Sequence, residues 1–165
     1  MRKPTGRFGH WRRLVLGAIA VAAIAQELPA DEIATGFQER VYRDETGNHK
    51  YTLFVPATYT PQKKWPLLLF LHGSGERGTD NKLPLVGGIG PQVKARAATF
   101  PFIVVFPQCE DQQIPILQAW SPNSADGKRA LAILAQVERE YSIDAHHRIL
   151  TGWSMGGMRC CFWCA

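Results

Sequence analysis

The amino-acid sequence predicts an α/β fold with a mainly parallel sheet and an antiparallel hairpin at one edge. Segments 65–71 and 102–106 are apolar runs without alternation, which is typical of strands buried on both faces beneath helices. Residues 38–55 instead alternate around a turn that contains Gly-Asn, which is typical of an antiparallel hairpin. Because both patterns occur in a chain of 165 residues, we expect one mixed sheet in one domain.

The elements follow one another in the order that a sheet covered by helices requires. The longest helix is predicted after an N-cap at Ser124 or Asp126, because apolar residues then recur every three or four positions. This stripe consists of Ala130, Ile133, Leu134, Val137 and Tyr141. The predicted elements are strands 38–44, 50–55 and 65–71, a short helix near 91–98, strand 102–106, the long helix and strand 147–151.

The first 25 residues have the pattern of an export signal. Five Lys and Arg residues precede an apolar run over 14–25, which ends in the small-x-small site Ala23-Ile24-Ala25. A membrane span needs about 20 apolar residues, so we expect no stable membrane anchor. We therefore predict a signal peptide over 1–25, a secreted or periplasmic protein and a domain over 26–165. The pair Arg12-Arg13 leaves the twin-arginine route open.

The charge balance gives no reason to expect a nucleic-acid partner. The chain carries 19 Lys and Arg against 14 Asp and Glu, a formal net charge of +5. All five excess cations lie in the predicted signal peptide, and all acidic residues lie after it. The mature chain is therefore formally neutral, without the basic surface that nucleic-acid binding requires.

A candidate nucleophile lies directly after the last predicted strand, in Gly152-Trp-Ser-Met-Gly156. A G-x-S-x-G sequence at a strand-to-helix turn holds the serine hydroxyl above the edge of the sheet, and side chains at the flanking glycines would collide with neighbouring backbone. The helix that follows directs its first amides at the same place. Ser154 is thus the candidate nucleophile, and the Met155 amide is a candidate donor to a developing oxyanion.

The loop after the first buried strand reads His72-Gly-Ser-Gly-Glu-Arg-Gly78 and predicts the rest of the oxyanion hole. Glycines let backbone amides approach a substrate carbonyl, and the amide of Ser74 is the second candidate donor. We expect His72 to brace this loop by hydrogen bonds, because it belongs to the loop motif and not to the position of a catalytic base. Glu76 and Arg77 are expected to pair with each other, to line the cleft or to lie on the surface.

Residues 38–158 resemble the secreted carboxylesterases, also described as predicted peptidases, of the α/β-hydrolase superfamily. That group is related to feruloyl esterases and poly(3-hydroxybutyrate) depolymerases. The resemblance rests on three motifs in order, which are Trp65 to Asn81, Phe106-Pro-Gln-Cys109 with Trp120 downstream, and Leu150 to Gly157.

The resemblance implies the N-terminal portion of an α/β-hydrolase fold and hydrolysis of carboxylic esters through an acyl-enzyme. It assigns the nucleophile to Ser154 and the oxyanion donors to the amides of Ser74 and Met155. It implies no metal or organic cofactor, and a small-molecule or polymer ester as substrate. The acyl and alcohol groups, esterase against peptidase action, disulfide pairing and the oligomeric state stay open.

The other members of a catalytic triad are not found in the sequence. In such hydrolases Asp or Glu and then His follow the serine. Eleven residues follow Ser154, and none is Asp, Glu or His. Upstream, His49 is expected in the hairpin turn, and His146 and His147 ahead of the last strand, toward the opposite end of the sheet from the serine.

We therefore expect the resemblance to be truncated after the nucleophile turn, with a Cys-rich, atypical tail over 159–165 that suggests a frameshift. This chain is expected to be inactive as an ester hydrolase by itself. The alternative is an exported, non-catalytic remnant or binding module on the hydrolase scaffold. A second reading frame that continues to Asp and His would favour the enzyme.

Overall fold

A computed structural model describes residues 33–163, and the predicted signal peptide over 1–25 lies outside them. Within this range five strands form a single sheet. The strands are β1 (Gly36–Asp44), β2 (Gly47–Val55), β3 (Trp65–Leu71), β4 (Ile103–Pro107) and β5 (Ile143–Gly152). The helices are α1 (Gly90–Ala95), α2 (Ile116–Ala119), α3 (Ala125–Glu140) and α4 (Met155–Trp163), with 3-10 turns at Ser74–Glu76 and Leu83–Leu85.

The strand order is β1-β2-β4-β3-β5. Strand β2 pairs antiparallel with both of its neighbours, whereas β3 pairs parallel with β4 and with β5. Four of the five described strands therefore run in one direction, and the predicted mainly parallel sheet with an antiparallel edge hairpin is confirmed. Leu71 of β3 pairs with Gly152 of β5, so both strands end at the same edge of the sheet.

The side chains of β3 explain why its sequence lacks alternation. Leu67, Leu69 and Leu71 belong to one buried cluster, which includes the apolar face of α3. Leu68 and Phe70 belong to a second cluster, which includes Val93 of α1. Because helices cover both faces, every position of the strand except Pro66 is buried and apolar.

Helix α3 begins as the capping pattern predicts, with Ser124 and not Asp126 as its N-cap. The Ser124 hydroxyl accepts a hydrogen bond from the amide of Gly127 at 3.1 Å. The buried carboxylate of Asp126 accepts bonds from the amides of Glu110 at 3.1 Å and Asp111 at 3.2 Å. Asp126 therefore ties the loop after β4 to the start of α3.

Strand β5 is longer than predicted and forms one edge of the described sheet. It starts at Ile143, which pairs with Trp65, and its register against β3 shifts before Arg148. His146 therefore lies within the strand and not before it, and the strand begins ahead of the predicted start at His147. Residues 145–149 are exposed, and the polar run His146-His-Arg148 interrupts the apolar pattern of the strand.

In the part of the chain that the structure describes, helices that combine the length and the apolar character needed to cross a membrane are absent.

Candidate active site

Ser154 occupies a sharp turn between the last residue of β5 and the first of α4. Its φ angle is 49°, in the left-handed region that non-glycine residues rarely adopt. The preceding amide, that of Trp153, donates to the carbonyl of Leu71 at 2.9 Å, which fixes the turn against the end of β3. Ser154 is exposed, so the strained turn presents its side chain to solvent.

Two glycines make this turn sterically possible. A β-carbon added at Gly152 would lie 2.4 Å from the carbonyl carbon of Gly156. One added at Gly156 would lie 1.9 Å from the carbonyl oxygen of Leu71. Real carbon atoms do not approach backbone so closely, so α4 can start directly on the end of β3 only where side chains are lacking. The collisions predicted from the motif are confirmed.

The glycine-rich loop after β3 lies against this turn. A β-carbon at Gly73 would lie 3.3 Å from the β-carbon of Ser154 and 3.1 Å from Cδ1 of Trp153. The next residue, Ser74, begins a 3-10 turn, and Met155 begins α4. The first amides of a helix have no intrahelical acceptor, and these two donate to no other residue within 33–163. These two N–H groups are therefore free, one on the residue after Gly73 and one on the residue after Ser154.

His72 braces the loop, as expected. Its Nε2 accepts a hydrogen bond from the amide of Cys109 at 2.9 Å, so Nδ1 carries the proton that it donates to the carbonyl of Gly73 at 2.7 Å. The indole of Trp120 donates to the His72 carbonyl at 3.0 Å. Burial lowers the pKa of His72 to about 4, so the ring is neutral at physiological pH.

The prediction that His49 lies in the hairpin turn is wrong. The residue belongs to β2 and is buried between two carboxylates, with Nδ1 2.9 Å from Glu110 and Nε2 3.1 Å from Asp44. Strands β4 and β3 separate it from β5, which places it about 14 Å from the nucleophile strand. His147, paired with Asp144 at 2.7 Å, lies five strand residues before Gly152, or roughly 16 Å away.

Glu76 and Arg77 line the site. Of the arrangements that the sequence left open for them, the structure therefore shows the one in the cleft. Arg77 Nη2 lies 3.2 Å from the sulfur of Met155, and Nη1 donates to the carbonyl of Gln112 at 2.9 Å. A carboxylate oxygen of Glu76 lies 2.8 Å from the point where a β-carbon of Gly73 would be. No ion pair joins Glu76 to Arg77 among the ion pairs of the described residues.

Cys109 is a buried free thiol. The thiol of Cys109 donates to Asp126 at 3.2 Å, and burial raises its pKa. Cys109 therefore belongs to the packing behind the loop and is a poor nucleophile. Over residues 33–163, groups of three or more His, Cys, Asp or Glu side chains able to hold a metal ion are absent.

Solved esterases share this arrangement of strands and helices, although no protein-family model matches the chain. A thermostable esterase is 29% identical with a TM-score of 0.59, over 76% of this chain and 37% of that one. Esterase 2 of Thermogutta terrifontis, solved as phosphorylated by paraoxon, is 19% identical with a TM-score of 0.55, over 76% of this chain and 45% of that one.

The described residues therefore form part of an α/β-hydrolase fold, as the sequence predicts. The chain spans 37% of the length of the thermostable esterase and 45% of that of the Thermogutta enzyme.

The first prediction concerns the collision at Gly156. We expect Gly156→Ala to destabilise the chain by more than about 2 kcal/mol, because its methyl group would lie 1.9 Å from the Leu71 carbonyl oxygen. Gly75→Ala is the matched control, since a β-carbon there has no neighbour within 4 Å. Urea denaturation of both variants measures the difference, and equal midpoints would contradict the packing of α4 on β3.

The second prediction concerns His72 and pH. Unfolded His72 titrates near 6.5 and the folded residue near 4, so the unfolded state binds more protons between these values. Stability is therefore complete above about pH 6.5 and falls by about 3 kcal/mol as the pH drops to 4.

Denaturation at several pH values should show this fall in the wild type and in His146→Gln, an exposed control. The fall should be much smaller in His72→Gln, which has no ring to protonate. An equal fall in all three proteins would show that His72 is not the group responsible.

Proposed function

We propose that this chain carries the nucleophile-bearing part of a serine esterase, in which Ser154 attacks the carbonyl carbon of a carboxylic ester. The observation that carries the proposal is the backbone of Ser154, held at φ 49° on a strand-to-helix turn beside the Gly73 loop. The similarity to solved esterases supports ester hydrolysis over other reactions of the same fold.

The chemistry follows from the groups around the serine. As the bond from Oγ to the carbonyl carbon forms, the carbonyl oxygen becomes an oxyanion. The free amides of Ser74 and Met155 are placed to donate to it, and the positive end of α4 adds to their effect. The Arg77 guanidinium beside Met155 contributes a further positive charge. Cleavage of the bond to the alcohol then leaves an acyl-enzyme, which water hydrolyses.

The base is the part of this mechanism that the described histidines do not supply. His72 uses both ring nitrogens in the loop, and His49 lies between carboxylates across the sheet. A serine without an adjacent base is a weak nucleophile. With the described histidines alone, Ser154 is therefore proposed to react slowly.

The second candidate is a binding module on the same scaffold, exported and without catalysis. It is favoured because no described histidine is available to take the proton of Ser154. In either case we propose export directed by residues 1–25, and a small or polymeric ester as the bound molecule. The two candidates differ in whether Ser154 forms a covalent bond.

Covalent labelling distinguishes the two candidates. We expect the folded chain, incubated with paraoxon and analysed by intact mass, to gain one diethylphosphoryl group, because the oxyanion donors also stabilise the phosphoryl oxygen. Ser154→Ala should gain none. Ser142→Ala is the matched control and should label as the wild type does, because Ser142 directly precedes β5 at the strand's other end.

Labelling of Ser154→Ala at the wild-type rate would place the reactive group elsewhere. A folded wild-type chain that gains no mass would favour the binding module.

A further inference from the structure

A carboxylate oxygen at the candidate site lacks a donor. Oε2 of Glu76 is buried and has no hydrogen-bond partner among the described residues. Burying an acceptor without a donor is costly, more so when it belongs to an ionised carboxylate. An unsatisfied group of this kind, next to a reactive side chain, indicates a use in chemistry or binding.

The backbone on either side of this carboxylate is fixed. Glu76 ends the 3-10 turn Ser74–Glu76, and its amide donates to the carbonyl of Gly73 at 3.3 Å. Its carbonyl accepts a bond from the side-chain amide of Gln108 at 2.9 Å. The side chain therefore starts from a defined point and turns back toward the start of its own loop.

The carboxylate and the serine both approach Gly73. The point where a β-carbon of Gly73 would be is 2.8 Å from Oε2 of Glu76 and 3.3 Å from the β-carbon of Ser154. Because glycine has no side chain, no atom of Gly73 occupies this point. The hydroxyl of Ser154 makes no hydrogen bond with any residue in the range 33–163, and rotation about one torsion moves its Oγ.

An unpaired acceptor and an unpaired donor thus both lie close to this point. We propose that Glu76 accepts the proton of Ser154 Oγ when the serine attacks an ester, and so acts as the catalytic base of acylation in this chain. The proposal rests on the proposed function of Ser154. It gives the slow reaction expected of this chain a specific proton acceptor.

Charge and proton balance favour this step. As the Oγ–carbon bond forms, the proton passes to Oε2, and Glu76 becomes neutral while the oxyanion appears. The number of negative charges at the site therefore does not rise. When the bond to the alcohol oxygen breaks, the same proton passes to the leaving alkoxide, which restores the carboxylate. Every proton that moves during acylation is thereby accounted for by Glu76.

Other carboxylates near the loop already have donors. Asp80 accepts bonds from the amides of Lys82 at 2.8 Å and Leu83 at 3.1 Å, and from Gln108 at 3.1 Å. Asp126 is bound by amides, by Cys109 and by Arg129. Of the carboxylates around this loop, Glu76 therefore remains free to take a proton.

The test measures the rate at which a fluorophosphonate probe labels the chain, together with the burst of p-nitrophenol from p-nitrophenyl acetate. Glu76→Gln keeps the size of the side chain and removes its basicity. We expect it to slow both reactions at least tenfold, since a general base contributes about 10²- to 10⁴-fold. Glu39→Gln, on the exposed face of β1, is the matched control and should react at the wild-type rate.

Gly73→Ala provides an independent variant. The backbone of Gly73, at φ −82° and ψ 179°, suits alanine, but the new methyl group would occupy the point close to both Oε2 and Ser154. We expect slower labelling even though both reacting groups remain. Ser142→Ala, the control of the paraoxon experiment at the other end of β5, should label normally. Thermal midpoints within a few degrees of the wild type show that each variant is folded.

The outcomes separate this proposal from the one on which it rests. Slow labelling of Glu76→Gln and Gly73→Ala, with normal labelling of both controls, supports both. Wild-type rates in Glu76→Gln overturn the role of Glu76 and leave Ser154 as the nucleophile. Absence of labelling in the folded wild type contradicts the reactivity of Ser154, and the role of Glu76 with it.

Discussion

The close approach of the ends of β3 and β5 is the constraint on which the site depends. Leu71 pairs with Gly152, and its carbonyl accepts the amide of Trp153 at 2.9 Å. Helix α4 starts so near this carbonyl that Gly156 cannot carry a side chain. Ser154 is therefore held at φ 49° by the packing of its neighbours on the end of β3. A strained serine persists because the parallel pairing of β3 with β5 and the start of α4 together fix the turn that carries it.

A buried polar network fixes the second part of the site. His72 joins the loop after β3 to the amide of Cys109, Trp120 donates to the carbonyl of His72, and Asp126 holds the residues that follow Cys109. Such networks stabilise one arrangement when their groups are paired, because an unpaired member in a low-dielectric interior is costly. The loop that carries Ser74 is thus positioned by Cys109 after β4 and by Trp120 after α2, and Asp126 of α3 fixes the segment that contains Cys109.

Sequence patterns predict those features that depend on local chemistry. The bounds of β3, the serine turn and the N-cap at Ser124 follow from an apolar run, a glycine spacing and a capping residue. The start of β5 does not, because His146 and His147 break its apolar pattern while the backbone pairs with β3. The burial of His49 is also missed, since its carboxylate partners come from the end of β1 and from a distant loop. Glu76 and Ser154 both approach Gly73 because the sheet brings two loops together. The spacing of these residues along the chain does not predict that proximity.

A crystal structure of the folded chain tests the central arrangement most directly. The account predicts Ser154 with φ near 49° at the start of α4, and the amides of Ser74 and Met155 directed at one point within hydrogen-bond distance beside its hydroxyl. A Ser154 with a negative φ, or amides of Ser74 and Met155 bonded to other acceptors and turned away from that point, would contradict the account.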